Sequence, residues 1–524
     1  MTRRQSETIP SPAAVMFRQF RLSGHRALSR ILGVLFLGCC SVASAQEAPA
    51  PVVSGPDVTL ADVVELLETQ RRELAAQREL IENQGQRIGR LQSELDALRG
   101  QPGISTAPAV DSDDARAAGV AAEPMESVES EASSAARERA KTVQTTAQVG
   151  RAQEDDPTRD ALEDFVGAVR LPGTDAALRI DGFVKTSVVN SFDPLETKDR
   201  FIVGSIPTSR ENSIIEEEAA ITANQSRFSL DLREPTEFGI LRAFVEGDFD
   251  GGSNGGQYRL RHAFGQWKRV LVGQTWSAFV DTSATPEEID FEGLNGRINV
   301  RQPQVRFFPE FGERYELAIS MEDPNPRVIG GDGVTRFPDI VATGRVDWGD
   351  NLHFKIGALY RQVRADSLES PGKTEKQTGW GLTLSGRLDV NWLDPRDSIL
   401  FQLNGGTGIG RYVNDLSSTG DFDGIFDSNG NLELIDVISG YVSAQHWWGR
   451  TMRSNLTFGF VQLENPGFVP DDFYKRTFRG SANLLWSPTP RITVGTEGLW
   501  GRRANQGGGD GDAEQLQLSA KYGF

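Results

Sequence analysis

Residues Arg227 to Asp250 read RFSLDLREPTEFGILRAFVEGDFD, two runs of alternating apolar and polar side chains joined by a turn at Glu234 to Gly239. Phe228, Leu230 and Leu232 share one face, with Arg227, Ser229 and Asp231 on the other. In the second run Leu241, Ala243 and Val245 alternate with Arg242 and Glu246. Successive side chains of a strand point to opposite faces, so a period of two predicts β-structure with one apolar and one charged surface. Upstream, Leu178, Ile180, Val184 and Val188 alternate with Arg179, Asp181, Lys185 and Ser187, and the period persists to the last residue.

A soluble sandwich alternates too, but its apolar faces need a second layer to cover them. Here the pattern repeats through about sixteen segments, with short turns on one side and long connections on the other, which predicts an all-β transmembrane barrel of antiparallel strands. The short turns are Glu234 to Gly239, Lys268-Arg269, Pro309 to Glu313, Trp348 to Asn351, Asp394 to Asp397, Gly449-Arg450 and Ser487 to Pro490, expected in the periplasm. The long connections include Asn190 to Ala219, Ser277 to Val300, Arg411 to Leu432 and Arg502 to Ala513. Trp348, Trp380, Trp447, Trp486 and Trp500 fall near strand ends, where amphipathic rings favour the lipid headgroup level. An even strand number near sixteen leaves an aqueous lumen, so the barrel should conduct.

Outward from the barrel toward the N-terminus, the composition changes. Arg18, Arg21, Arg26 and Arg30 precede the apolar run Ile31 to Cys40, and Ala43-Ser44-Ala45 supplies a cleavage site, so residues 1–45 read as a signal peptide. The run is shorter than the roughly 20 residues of a spanning helix. Both cysteines leave with it, and the mature chain has no thiol for disulfides or metal sites. After a short linker, 46–59, Leu60, Leu67, Leu74, Ile81, Ile88 and Leu95 recur every seven residues, which predicts a coiled coil over 60–99. Gln70, Gln77 and Gln84 occupy the second core position; the alternative is a single solvated helix. Residues 100–175, rich in Ala, Ser, Glu and Pro, read as a disordered tether, and 176–524 as the barrel. The coiled coil belongs in the periplasm, with the cell wall as a candidate contact.

The net charge of −18 excludes nucleic acid as an expected partner. Strand parity nevertheless puts Lys185, Arg227, Arg242, Arg259, Arg261, Arg306, Arg345, Lys355, Arg387, Arg453 and Arg479 in the lumen, against Asp181, Asp231, Glu246, Asp248 and Glu497. Guanidinium grips carboxylate in a bidentate fork, so such a lumen should attract organic anions, with Arg227, Arg242, Arg259, Arg261, Arg306 and Lys355 as pore-lining candidates. The alternative is that these charges pair across the wall and only solvate it. The connection Ser277 to Val300, carrying Asp281, Glu287, Glu288, Asp290, Glu292 and Arg297, follows the fifth strand. Folded inward, it would form a constriction whose acids face the arginines; left outside, it is a solvated loop. The segment from Asp421 to Asn431 reads as a Gly/Asp/Asn turn, because an EF-hand alignment puts Ile425 where the first carboxylate should stand. By parity His262 points outward with Leu260 and Phe264. No nucleophile elbow, metal-type His cluster or phosphate loop is found, so neither enzyme activity, metal nor cofactor is expected.

The stretches Ser226-Arg227-Phe228, Leu232-Arg233-Glu234-Pro235-Thr236, Phe244-Val245-Glu246-Gly247-Asp248-Phe249, Arg259-Leu260-Arg261-His262-Ala263-Phe264-Gly265-Gln266-Trp267 and Gly273-Gln274-Thr275-Trp276-Ser277 resemble the DcaP-like trimeric outer-membrane porins, as do Asp290-Phe291-Glu292-Gly293 and Arg301-Gln302-Pro303-Gln304-Val305-Arg306. The likeness is specific over roughly Gly173 to Arg306. It implies a homotrimer of sixteen-stranded barrels with a periplasmic coiled coil, set in outer-membrane lipid and passing small organic anions such as dicarboxylates. The terminal Phe524 resembles the signal read by the outer-membrane assembly machinery. Two other functions fit the same residues: a phosphate or pyrophosphate porin, and an envelope spacer whose coiled coil, about 60 Å long, is anchored by the barrel.

Overall fold

The computed structural model describes residues 165–193, 195–209, 217–252, 255–309, 311–312, 314–348, 352–390 and 392–524. The expected signal peptide, coiled coil and most of the tether lie outside these residues. Among the described residues sixteen strands form the wall. They are β1 (Ala177–Ser191), β2 (Glu218–Thr222 and Arg227–Thr236), β3 (Gly239–Gly251), β4 (Gln257–Trp267), β5 (Val270–Trp276), β6 (Arg301–Phe307), β7 (Tyr315–Glu322) and β8 (Asp339–Trp348). They continue as β9 (Leu352–Ser367), β10 (Thr374–Asp389), β11 (Ser398–Thr407), β12 (Asp436–Trp447), β13 (Met452–Glu464), β14 (Tyr474–Thr489), β15 (Ile492–Asn505) and β16 (Asp510–Gly523).

Each strand pairs antiparallel with its neighbours in sequence, and the ring closes where β1 meets β16 through registers such as Val184↔Tyr522 and Val188↔Leu518. Both segments of β2 lie along β1, from Ser187↔Thr222 to Phe183↔Arg227. Closure leaves no unpaired edge, the condition for placing a sheet in hydrocarbon. The alternation is inside-out relative to a soluble protein: on β12, Ile438 and Val442 are about half exposed while Ser439 and Ser443 are fully buried. A lipid belt outside and a polar lumen inside explain both. No helix among the described residues is long and apolar enough to cross a membrane.

Described parts of three long connections fold into the lumen. Loop 1, between β1 and β2, places Phe201, Val203 and Ile206 against Leu499 and Ala513 on the inner wall. Loop 3 (277–300) and loop 6 (408–435) pack together around Phe279, Ile298, Tyr412, Val413 and Leu416, with Val341, Leu359 and Val461 of the wall completing the cluster. A bridge between Ile298 and Val413 joins the two loops. Val328–Ile329 of the connection after β7 pairs parallel with Gly424–Phe426 of loop 6, which pairs in turn with Leu432–Leu434. The expected long connection Arg502 to Ala513 is instead a tight turn at 506–509. The ladder runs on through Arg502↔Asp512 and Ala504↔Asp510, because Arg502 pairs with Asp510 at 2.6 Å and the Gly/Asp-rich stretch is absorbed into the strands.

At the other end, residues 165–176 pack onto the barrel rim although their composition matches the tether. Val169–Arg170 pairs with Ala177–Leu178. Phe165, 4% exposed, lies between Arg233 and Arg179, whose guanidinium carbons are 4.0 and 5.0 Å from the ring centre. Both arginines contact Asp231 on the inner face, at 3.1 and 3.7 Å, so the chain enters the barrel from the lumen side of the rim.

Candidate functional site

Loop 3 leaves β5 and crosses the lumen because its acids find partners on the wall. Asp281 accepts a hydrogen bond from the Ser385 hydroxyl at 2.7 Å and lies 3.0 Å from His353 Nε2. Glu287 and the guanidinium of Arg453 form a two-pronged pair. Arg479, fully buried, donates to Glu288 at 2.7 Å and Asp290 at 3.2 Å. Backbone groups add to the grip: Glu497 accepts the N–H groups of Ile289 and Asp290 at 2.6 and 2.7 Å, and Lys185 donates to the Ile289 carbonyl at 2.7 Å. Lys355 holds the Val280 carbonyl at 2.7 Å. Glu292 meets the Ser418 hydroxyl of loop 6, while its carbonyl accepts from Arg297 at 2.9 Å. Loop 3 does fold inward, but Glu287, Glu288 and Asp290 pair with β13 and β14 rather than with the arginines of β2 to β4.

Those arginines form the opposite wall of a cavity of about 700 Å³. Arg227 meets Glu246 at 3.1 Å; Arg259 meets Asp248 at 2.9 Å and Asp250 at 3.1 Å; Arg261 meets Asp248 at 2.6 Å. Phe291 at the loop 3 tip lies 5.3, 5.5 and 5.9 Å from the guanidiniums of Arg200, Arg259 and Arg261, a quadrupole contact that fixes the tip against the cationic wall. The lining contains ten Lys and Arg against five Asp and Glu. Asp248 and Asp250, nearly inaccessible, sit behind their arginines, so guanidiniums rather than carboxylates face the open space.

Of the pore-lining candidates, the structure brings Arg227, Arg259 and Arg261 to the cavity and leaves three off its surface. Arg242 pairs with Asp231 at 2.9 Å beside the rim; Arg306 donates to Gln304 and to the Trp276 carbonyl; Lys355 is spent on loop 3. Of the loop candidates, Glu287, Glu288, Asp290, Glu292 and Arg297 line the cavity, while Asp281 is buried against the wall.

The outward placement of His262 is corrected. Val245 pairs with Ala263 and Glu246 with His262, but Gly247 pairs with Leu260, so Arg261 is an extra residue in a β-bulge. A bulge sets two residues against one and resets the alternation. Leu260 remains outside at 43% exposure, Arg261 and His262 both turn inward, and Phe264 packs inside with Phe244. His262 Nδ1 lies 2.9 Å from Thr275 Oγ1.

Parity also missed Arg200 and Arg301. Arg200 comes from loop 1 and reaches Asp250 at 2.6 Å, a long-range placement with no local signal. Counting back from Val305 puts Arg301 outside, yet where the ladder ends at Trp276↔Arg301 both residues line the cavity. The Asp427 turn is an Asx turn, one carboxylate oxygen accepting the N–H groups of Asn429 and Asn431 at 2.8 Å each.

A family model described as DcaP outer membrane protein matches residues 173–524. Among solved structures, the chain is similar to the outer membrane channel DcaP of Acinetobacter baumannii, at 20% identity and a TM-score of 0.60, over 68% of this chain and 100% of that one. It is also similar to an anion-selective porin from Comamonas acidovorans (12% identity, TM-score 0.46, 67% and 100% covered). A third is the in-vitro folded outer membrane protein OmpT of Vibrio cholerae in trimer form (13%, 0.43, 67% and 99%). No curated protein matches.

Proposed function

Because this chain belongs to the DcaP outer membrane protein family, we propose that it is an outer-membrane porin for passive diffusion of small hydrophilic solutes, preferring organic anions such as dicarboxylates. The observation that carries the anion preference is the cavity lining, where cationic groups outnumber acidic ones two to one and face the open space. Only charges within about a Debye length, roughly 8 Å at physiological salt, act strongly on a permeating ion, so these groups outweigh the acidic remainder of the chain. Loop 3, bridged to the far wall, narrows the passage and brings a solute within reach of several guanidiniums at once. Such a site needs no bond-making step: it lowers the entry barrier by replacing part of the solute's hydration with charged donors.

The test is the reversal potential of purified protein in a planar bilayer under a salt gradient. Anion preference of the wild type is expected, and clear cation preference would remove this reading.

A further inference from the structure

Each arginine of the β2 to β4 wall already has a carboxylate, and Arg301 at the start of β6 does not. No Asp or Glu among the described residues lies within salt-bridge distance of it, and its Nη1 is buried without a hydrogen-bond partner. The guanidinium carbon lies over the Trp276 ring, 4.5 Å from its centre, and the group lines the cavity. Arg227, Arg259 and Arg261 line the same cavity, so Arg301 faces other guanidiniums across the open space. A guanidinium without a carboxylate partner among like charges is an unfavourable arrangement, which an anion in the cavity it lines would relieve.

Resting on the anion-porin reading above, we propose that Arg301 is the seat at which the oxyanion group of a permeating solute, a carboxylate or a phosphate, docks directly. The other arginines have a different part. To grip a solute, Arg227, Arg259 or Arg261 must first loosen a pair with Glu246 or Asp248, whereas Arg301 has no carboxylate to release first. Contact with the Trp276 ring restrains the side chain, so the guanidinium meets an oxyanion in the cavity with little further loss of rotamer freedom. The paired arginines then supply the surrounding field, and an occupied seat relieves the repulsion among four guanidiniums. Charge alone would not reproduce this, since a lysine offers a point charge in place of a fork.

The experiment measures block of the single-channel chloride current of the full-length protein by succinate and, separately, by orthophosphate. Arg301→Gln should raise the half-blocking concentration of the better blocker at least tenfold. Arg301→Lys should raise it severalfold while the reversal potential stays near wild type. Arg242→Gln, beside the rim and off the cavity surface, should change block less than twofold. Whichever of the two anions loses block in Arg301→Gln identifies the occupant as carboxylate or phosphate, and either supports the seat. A half-blocking concentration within twofold of wild type in Arg301→Gln overturns the proposal while leaving the anion-porin reading intact. A wild type that is cation-selective and unblocked overturns that reading instead. Native mass measurement accompanies each variant: if Arg301→Gln breaks the assembly into monomers and Arg301→Lys restores assembly and block together, Arg301 is an intersubunit contact and the seat is refuted.

Discussion

Asp248 shows how single residues set the sign of this lumen. It is inaccessible to solvent, and Arg259 and Arg261 close over it, so the solute meets two guanidiniums rather than a carboxylate. Replacing both arginines by Ala removes two positive charges and uncovers a negative one. The reversal potential in a salt gradient should then move strongly toward cation preference; an unchanged value would return these arginines to lumen solvation. Breaking a buried pair by removing one partner costs about 3–5 kcal/mol, so the double variant should also unfold at lower temperature in detergent. A second residue tests pH. Asp397, in the turn between β10 and β11, is buried, which raises its pKa. The N–H of Trp447, His446 Nδ1 and the N–H groups of Leu393 and Asp394, all within 3.2 Å, outweigh this and hold it down at about 2. A carboxyl depressed in the folded state stabilises above its unfolded pKa, about 3.9, and that contribution fades as pH falls toward 2. Wild type should therefore melt above Asp397→Ala at pH 7, with the gap closing between pH 4 and pH 2; a gap that is constant with pH would contradict this.

At the scale of elements, loop 3 is a strap fastened at both ends of its span, and Arg479 is its deepest fastening. Arg479→Ala leaves Glu288 and Asp290 without their guanidinium. Open-channel current noise should rise severalfold, and stability should fall by about 3–5 kcal/mol. A quiet channel of wild-type stability would mean that the backbone grip of Glu497 and Lys185 suffices. The bulge in β4 makes a sharper prediction. Because Arg261 is the extra residue, deleting it gives a regular ladder without flipping either flank. The deletion should assemble and show the heat-dependent gel shift of a folded barrel, with the reversal potential shifted toward cation preference by less than in the double variant. Failure to fold would mean that the kink itself is needed. The strands were legible in the sequence because lipid and water impose a period of two on every one of them. The bulge was not, since it breaks that period by one residue without a glycine to announce it. Nor were the inward turns of loops 1 and 6, whose burial depends on partners such as Leu499 and Val461, hundreds or tens of residues away.

For the whole molecule, the expected assembly is a homotrimer, because a three-fold ring closes without leaving free interfaces. Native mass in detergent should give three chains, and a monomer would count against it. The acidic sum of the chain says little about the lumen once charges are sorted by compartment: the barrel class followed from pattern alone, while the proposed anion preference rests on the cations that line the cavity. What parity could not supply was which cations stay unpaired, since pairing is settled across strands, as Asp231 with Arg242 shows. The rim hairpin carries a mechanical corollary. Tension applied N-terminal to Phe165 would reach that residue and the two-residue ladder to Ala177–Leu178 first, and that ladder unzips bond by bond, each bond worth about 1 kcal/mol net. The next element, β1, is laddered along both edges and loaded in shear. Residues 165–176, about 40 Å when fully extended, would thus yield before the closing ladders of β1 took the load, a shock absorber between a pull on the chain and the pore.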